Sequence, residues 1–140
     1  MKKLPLAVLI LSASSLFIAS AQAQVIVIAN PSVKATSISK SDLREVFTGG
    51  TPTLKDGSSV TPVLLKQGHT HEEFLKTYVG KDDSALRTTW RSLVFSGQAS
   101  MPKSLESEAA VVEYVSHTAG AVGYISKATA HDGVKLVDIQ

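Results

Sequence analysis

The run Val25-Ile26-Val27-Ile28-Ala29 constrains the fold more than any other segment of this sequence. Four of its five residues are β-branched, which is typical of a strand. Because no polar residue alternates with the apolar ones, both faces of this strand are expected to be buried. Strands buried on both faces are common in parallel sheets that helices cover from either side. The run therefore predicts an α/β fold with this strand inside a parallel sheet.

The patterns that follow along the chain support this fold class. Predicted helices begin at capping signals and end at glycines. The four helices run from Ser39 to Gly49, from Thr70 to Gly80, from Asp82 to near Gly97 and from Glu106 to His117. Further strands are predicted at Val60–Leu65, Val122–Ile125 and Val134–Ile139. The order β-α-β-α-α-α-β-β indicates an α/β sandwich around a small sheet, with Trp90, Phe95 and Tyr124 expected in its core.

Residues 1–23 have the pattern of a signal peptide. Lys2 and Lys3 precede an apolar stretch, and Ala21-Gln22-Ala23 has the small-x-small form of a signal peptidase site. These features predict export, to the periplasm of a bacterium, and a mature chain that begins near Gln24. The predicted organisation is therefore a leader, residues 1–23, and one domain, residues 24–140, which is long enough for a single core.

The composition of the mature chain excludes several classes of function. Lys2 and Lys3 account for the net charge of +2, so residues 24–140 carry 12 basic and 12 acidic side chains. A neutral chain without a basic run offers no electrostatic surface for nucleic acid or for an anionic membrane. No second apolar stretch is long enough to span a bilayer, so we expect a soluble mature protein. Without cysteine, disulfides, thiol nucleophiles and Cys-based metal sites are excluded.

The segment from Leu64 to Phe74 is the part of the sequence that suggests ligand chemistry. It is predicted to run from a strand through a glycine loop into a helix, whose first N–H groups lack internal partners. Such a helix start suits a small oxyanion. The candidate site residues are Lys66, Gly68, His69, Thr70 and His71. The same segment also fits a capped helix without a ligand, in which Thr70 and Glu73 form a capping box. The residues alone leave both interpretations open.

His69 and His71 also suggest a metal site, but two residues at this spacing do not share a helix face. No third ligand accompanies them at a suitable spacing, so we expect both histidines to be exposed or to cap the helix. No metal and no cofactor are predicted. The sequence also lacks a recognisable pair of nucleophile and base, and an enzyme is therefore not expected.

The mature chain contains, in this order, the segments VIVIANP, ISKSDLREVFTGG, DGSSVTPV, GHTxxxF, WRSLVFSG and AGAVGYIS. Together they resemble the phosphate-binding periplasmic components of ABC transporters, and in particular their short single-lobe relatives. The resemblance implies one lobe of a type II periplasmic-binding-protein-like fold, in which about four helices flank a small mixed sheet. It also implies a role in transport, with phosphate or a similar oxyanion as ligand and an ABC transporter permease or a sensor protein as partner.

The family's anion-contacting loop places an arginine six residues before a threonine, with a serine between them and a phenylalanine after them. Thr70 and Phe74 match the threonine and the phenylalanine, whereas Leu64 stands at the arginine position and Gly68 at the serine position. A lysine such as Lys66 does not reproduce a bidentate guanidinium. Two functions remain open: an exported solute-binding module, or a non-catalytic interaction module that keeps the lobe without binding a ligand.

Overall fold

The structure, a computed structural model, describes residues 24–140. The predicted signal peptide, residues 1–23, lies outside the described residues, so its cleavage stays a prediction. Within residues 24–140, no helix is both long and apolar enough to cross a membrane.

Six strands form a single mixed sheet in the order β2-β6-β1-β5-β3-β4. Their bounds are Val25–Ala29 (β1), Ser37–Ile38 (β2), Thr61–Leu65 (β3), Lys103–Leu105 (β4), Ala121–Ser126 (β5) and Lys135–Ile139 (β6). Strand β1 is antiparallel to both of its neighbours, β5 and β6, while β3 is parallel to β4 and β5. The mixed sheet is as predicted, but the expectation of parallel neighbours for β1 is wrong. An apolar run indicates that both faces of a strand are covered, and it carries no information about the direction of the neighbouring strands.

In the described part of the chain, four α-helices flank the sheet, at Lys40–Thr48 (α1), His69–Phe74 (α2), Asp83–Phe95 (α3) and Glu108–His117 (α4). Helix α2 continues as a π-helical segment, Leu75–Val79, which ends at Gly80. Ser39 and Asp82 cap α1 and α3 as predicted. Helix α4 begins two residues later than predicted, because Ser107 accepts a hydrogen bond from the Ala110 N–H group and sets the helix start.

The core lies on both faces of the sheet, and the adjacent β5 residues Tyr124 and Gly123 belong to opposite faces. On one side, the Tyr124 ring stacks on Phe74 with ring centroids 3.8 Å apart and meets the edge of Phe47. On the other side Gly123 leaves room for α4, since a Cβ atom there would lie 2.9 Å from a methyl group of Val111. Helices therefore cover both faces of the central strands, and this explains the burial that the apolar run predicted.

Two of the three aromatic residues expected in the core lie there. Tyr124 is fully buried, and Trp90 donates from its indole nitrogen to the Phe47 carbonyl at 2.9 Å. The expectation is wrong for Phe95, which is 96% exposed. It lies in α3 five residues after Trp90, and at about 3.6 residues per turn this spacing places it away from the helix face that buries Trp90.

Candidate functional site

The carboxyl ends of β3, β4 and β5 lie side by side because these three strands are parallel. Each end leads into a different segment, namely α2 after β3, α4 after β4, and a turn after β5. We call this region, residues 66–71, 106–108 and 126–129, the carboxyl edge. In open α/β sheets, ligands bind outside the carboxyl ends of the strands. The candidate residues from the sequence lie at this edge.

Helix α2 begins at a glycine and carries no side-chain cap. Gly68 is the N-cap residue, with a φ of 112° in open space, and among the described residues no side chain caps this helix. The prediction that Thr70 is the N-cap is therefore wrong. Gly68 adopts the backbone conformation that starts the helix two residues earlier, and this places Thr70 inside the first turn. Within residues 24–140, the N–H groups at the start of α2 therefore have no side chain as a partner.

Two glutamates of the carboxyl edge contact the polar groups of the loop. Lys66 Nζ lies 2.5 Å from Glu106 Oε1, and both side chains are substantially exposed. Thr70 Oγ1, on a residue that is 7% exposed, donates to Glu108 Oε2 at 3.3 Å. Glu108 Oε1 accepts hydrogen bonds from the Ser126 N–H group and, at 3.1 Å, from Thr129 Oγ1. The carboxyl edge therefore carries two negative charges beside its positive helix start.

His71 lies in the interior, a position that no pattern in the sequence indicates. The residue is 1% exposed, and both ring nitrogens have partners. Nδ1 lies 2.5 Å from Tyr124 Oη, and Nε2 lies 2.7 Å from Asp83 Oδ1. The expectation of an exposed or capping histidine holds for His69, which is exposed, and is wrong for His71. Only the backbone of His71 remains available to a ligand at the carboxyl edge.

These contacts belong to a chain of hydrogen bonds from the core to the surface. The Leu65 N–H group donates to Tyr124 Oη at 2.9 Å, and the same hydroxyl is hydrogen-bonded to His71 Nδ1. His71 then donates from Nε2 to Asp83, whose second carboxylate oxygen accepts from Arg87 Nε at 2.8 Å. Arg87 Nη2 donates in turn to the Lys66 carbonyl at 3.2 Å. The chain fixes α2 and α3 to the end of β3.

The tyrosine, histidine and aspartate have the order of a nucleophile, a base and an orienting acid, but they lack the accessibility that catalysis requires. Tyr124 is fully buried, and burial raises the pKa of its hydroxyl far above the ordinary value. A catalytic group must lie within hydrogen-bond reach of its substrate, and this buried hydroxyl does not. Partial burial raises the pKa of Asp83, but hydrogen bonds from Arg87 and His71 outweigh it and lower the pKa overall. The arrangement therefore holds the fold together.

The structure brings four of the five candidate residues together on the loop side of the carboxyl edge, and it directs the His71 side chain inward. Sequence reasoning missed Arg87, whose guanidinium lies against the loop, and Glu108. The spacing of Asp83 and Arg87, four residues apart on a helix, does indicate their ion pair. No local pattern indicates that α3 passes the end of β3. Within residues 24–140, no group of three or more His, Asp or Glu side chains is placed to hold a metal ion.

The sequence matches no family model and no curated protein. The fold, however, matches solved structures. PstS of Borrelia burgdorferi has a TM-score of 0.64 at 16% identity, over 83% of this chain and 47% of its own. A Clostridium perfringens protein assigned as a phosphate ABC transporter substrate-binding protein, solved with bound phosphate, has a TM-score of 0.63 at 14% identity, over 82% and 44%.

An ABC-type phosphate transport receptor of Vibrio cholerae has a TM-score of 0.54 at 16% identity, over 82% of this chain and 45% of its own. The chain thus spans less than half the length of the structures it matches. The Vibrio cholerae neighbour is described as a transport receptor and the Clostridium perfringens neighbour as a substrate-binding protein. The resemblance seen in the sequence is confirmed at the level of the fold: the chain has the architecture of a single lobe of the phosphate-binding proteins of ABC transporters.

Proposed function

We propose that this chain is an exported solute-binding module that binds phosphate or a similar small oxyanion at the carboxyl edge. The observation that carries the proposal is the start of α2 at Gly68, uncapped by any described side chain, beside the carboxyl ends of three parallel strands. The N–H groups of a helix start and the positive end of its dipole favour an anion. The bound phosphate of the Clostridium perfringens neighbour supports this choice of ligand.

Each candidate residue has a distinct part in this proposal. Gly68, His69, Thr70 and His71 contribute backbone N–H groups, and Thr70 adds its hydroxyl. Lys66 adds positive charge when it leaves Glu106. The guanidinium of Arg87, which is paired with Asp83, holds the Lys66 carbonyl in place, and Leu64, at the family's arginine position, is buried and apolar.

Binding to the isolated chain is expected to be weak. Tight sites for small ligands enclose about 70 to 90% of the ligand surface, and the carboxyl edge offers a single wall. A dissociation constant of about 1 mM corresponds to about −4 kcal/mol, which is a reasonable affinity for a few exposed hydrogen bonds. A second chain or a partner protein, such as an ABC transporter permease or a sensor protein, would complete the enclosure in the periplasm.

One observation favours the second candidate function, a non-catalytic interaction module. Glu106 and Glu108 already contact Lys66 and Thr70, and these are two of the groups that an anion would need. With these groups held by the two glutamates, the carboxyl edge would serve as a surface for another protein without binding a solute.

Calorimetric titration of the exported protein with inorganic phosphate, repeated on Thr70→Val, separates the two functions. The solute-binding module predicts weak binding that falls about tenfold in Thr70→Val, because the valine keeps the shape of threonine and removes the hydroxyl. The control is Thr77→Val, the same change at an exposed position further along the same helical segment. No heat of binding at high phosphate concentration would instead support the interaction module.

A further inference from the structure

We propose that Glu108 is the residue that determines the affinity of the carboxyl edge, because its carboxylate holds the hydrogen-bond donors that an oxyanion would use. This inference rests on the proposed function and names the group within the chain with which the ligand must compete.

Glu108 accepts three hydrogen bonds at the carboxyl edge. The donors are the Thr70 hydroxyl, the Ser126 N–H group and the Thr129 hydroxyl. They belong to α2, to the last residue of β5 and to the turn after it, so they converge on one point from separate segments. A carboxylate offers about four acceptor positions on two oxygens. The carboxylate is thus bound in the manner of a small oxyanion, by N–H and O–H donors from separate segments.

A purely local role does not explain this arrangement. An acidic residue in the first turn of a helix is stabilised by the helix dipole, and Glu108 occupies such a position in α4. The capping of α4, however, is performed by Ser107, which accepts from the Ala110 N–H group at 3.1 Å. Glu108 makes its side-chain bonds across the carboxyl edge and not to the N–H groups of its own helix.

Two physical costs follow for a free oxyanion. It must replace Glu108 as the acceptor of the Thr70 hydroxyl. It must also come close to the negative charge of Glu108, and two like charges at short range near a protein surface repel each other strongly. Both costs disappear when the carboxylate is replaced by a neutral group. The wild-type chain is therefore expected to bind oxyanions more weakly than a variant with the same backbone and no carboxylate at position 108.

The test compares the affinities for inorganic phosphate of wild type, Glu108→Gln and Glu108→Ala, with thermal melts to confirm that each variant is folded. Glutamine is nearly isosteric and keeps an oxygen that accepts from Ser126, and alanine removes the side chain. We expect both to bind phosphate at least tenfold more tightly, which is about 1.4 kcal/mol. The control is Glu113→Gln, the same loss of charge at an exposed position about 7.5 Å further along α4.

The outcomes separate this inference from the proposed function. Equal phosphate affinity in wild type and in both Glu108 variants, or the same gain in Glu113→Gln, would overturn the inference and leave the proposed function intact. Binding by the Glu108 variants without detectable binding by wild type would support the inference and refute the proposed function of the natural chain. No binding in any protein would overturn both.

Discussion

Replacing Tyr124 by phenylalanine tests the hydrogen-bond chain that connects the core to α2 and α3. The substitution keeps the ring that stacks on Phe74 and removes only the hydroxyl. That hydroxyl accepts from the Leu65 N–H group at 2.9 Å and lies 2.5 Å from His71 Nδ1. Both partners are buried and lose a hydrogen bond together.

The expected cost follows from these two contacts. A buried polar group left without a partner costs about 1 to 3 kcal/mol, so two such groups give a loss of roughly 2 to 4 kcal/mol when the neighbouring side chains relax in part. The free energy of unfolding of a domain is typically about 5 to 15 kcal/mol. The loss is therefore a large fraction of the stability, and it corresponds to a fall in Tm of roughly 10 °C for a domain of this size.

Urea unfolding followed by the fluorescence of Trp90, together with calorimetric melts, measures this loss. Tyr114→Phe is the matched control, since it removes a hydroxyl from a half-buried tyrosine on α4 and is expected to change stability by less than about 0.5 kcal/mol. If Tyr124→Phe is as stable as Tyr114→Phe, the hydroxyl does not connect Leu65 with His71 and the structural role assigned to the chain is wrong.

Three further predictions concern acid stability, backbone geometry and processing. The pKa of Asp83 is lowered in the folded state, so its contribution to stability is present at neutral pH and is lost progressively as the pH falls below about 4. Wild type and Asp83→Asn should differ in urea stability at pH 7, and the difference should shrink as the pH falls below about 4; a constant difference would contradict this. Gly120→Ala should lower the free energy of unfolding by about 1 to 3 kcal/mol, because φ is +75° and a Cβ atom would lie 2.8 Å from the Ser59 carbonyl oxygen. Gly57→Ala, at φ +86° in open space, should lower it less, and equal losses in the two variants would refute the clash. The intact mass of periplasmic protein should lack residues 1–23, and a mass that includes them would disprove the predicted leader.

The sequence predicts the elements of this fold well because apolar periodicity and capping are local properties. The strand at Val25–Ala29, the caps Ser39 and Asp82 and the helix stop at Gly80 depend on neighbouring residues only. The short strands β2 and β4, of two and three residues, carry too little pattern to be recognised. The direction of β1 relative to its neighbours depends on the path of the whole chain, and a single apolar run carries no information about that direction.

The sequence predicts that the candidate residues lie at a helix start after a strand, which the structure shows, and it does not predict their side-chain contacts. The glycine loop before α2 identifies the carboxyl edge, because a helix start after a strand is a local feature. The partners of His71 and Thr70 come from residues 12 and 38 positions away, Asp83 and Glu108. Such contacts depend on the packing of helices on the sheet, which no spacing within the segment shows.

The most direct test of oxyanion binding at the carboxyl edge is a titration of the exported, isotope-labelled protein with inorganic phosphate, followed residue by residue in amide NMR spectra. The proposal predicts that the amide resonances of Gly68, His69, Thr70 and His71 shift progressively, together with that of Ser126, whose N–H group donates to the same carboxylate as the Thr70 hydroxyl. The amides of the distant turn at Gly57 should stay unchanged. Phosphate-dependent shifts at other positions only, or no shifts at millimolar phosphate, would contradict the proposal that this lobe binds an oxyanion at the start of α2.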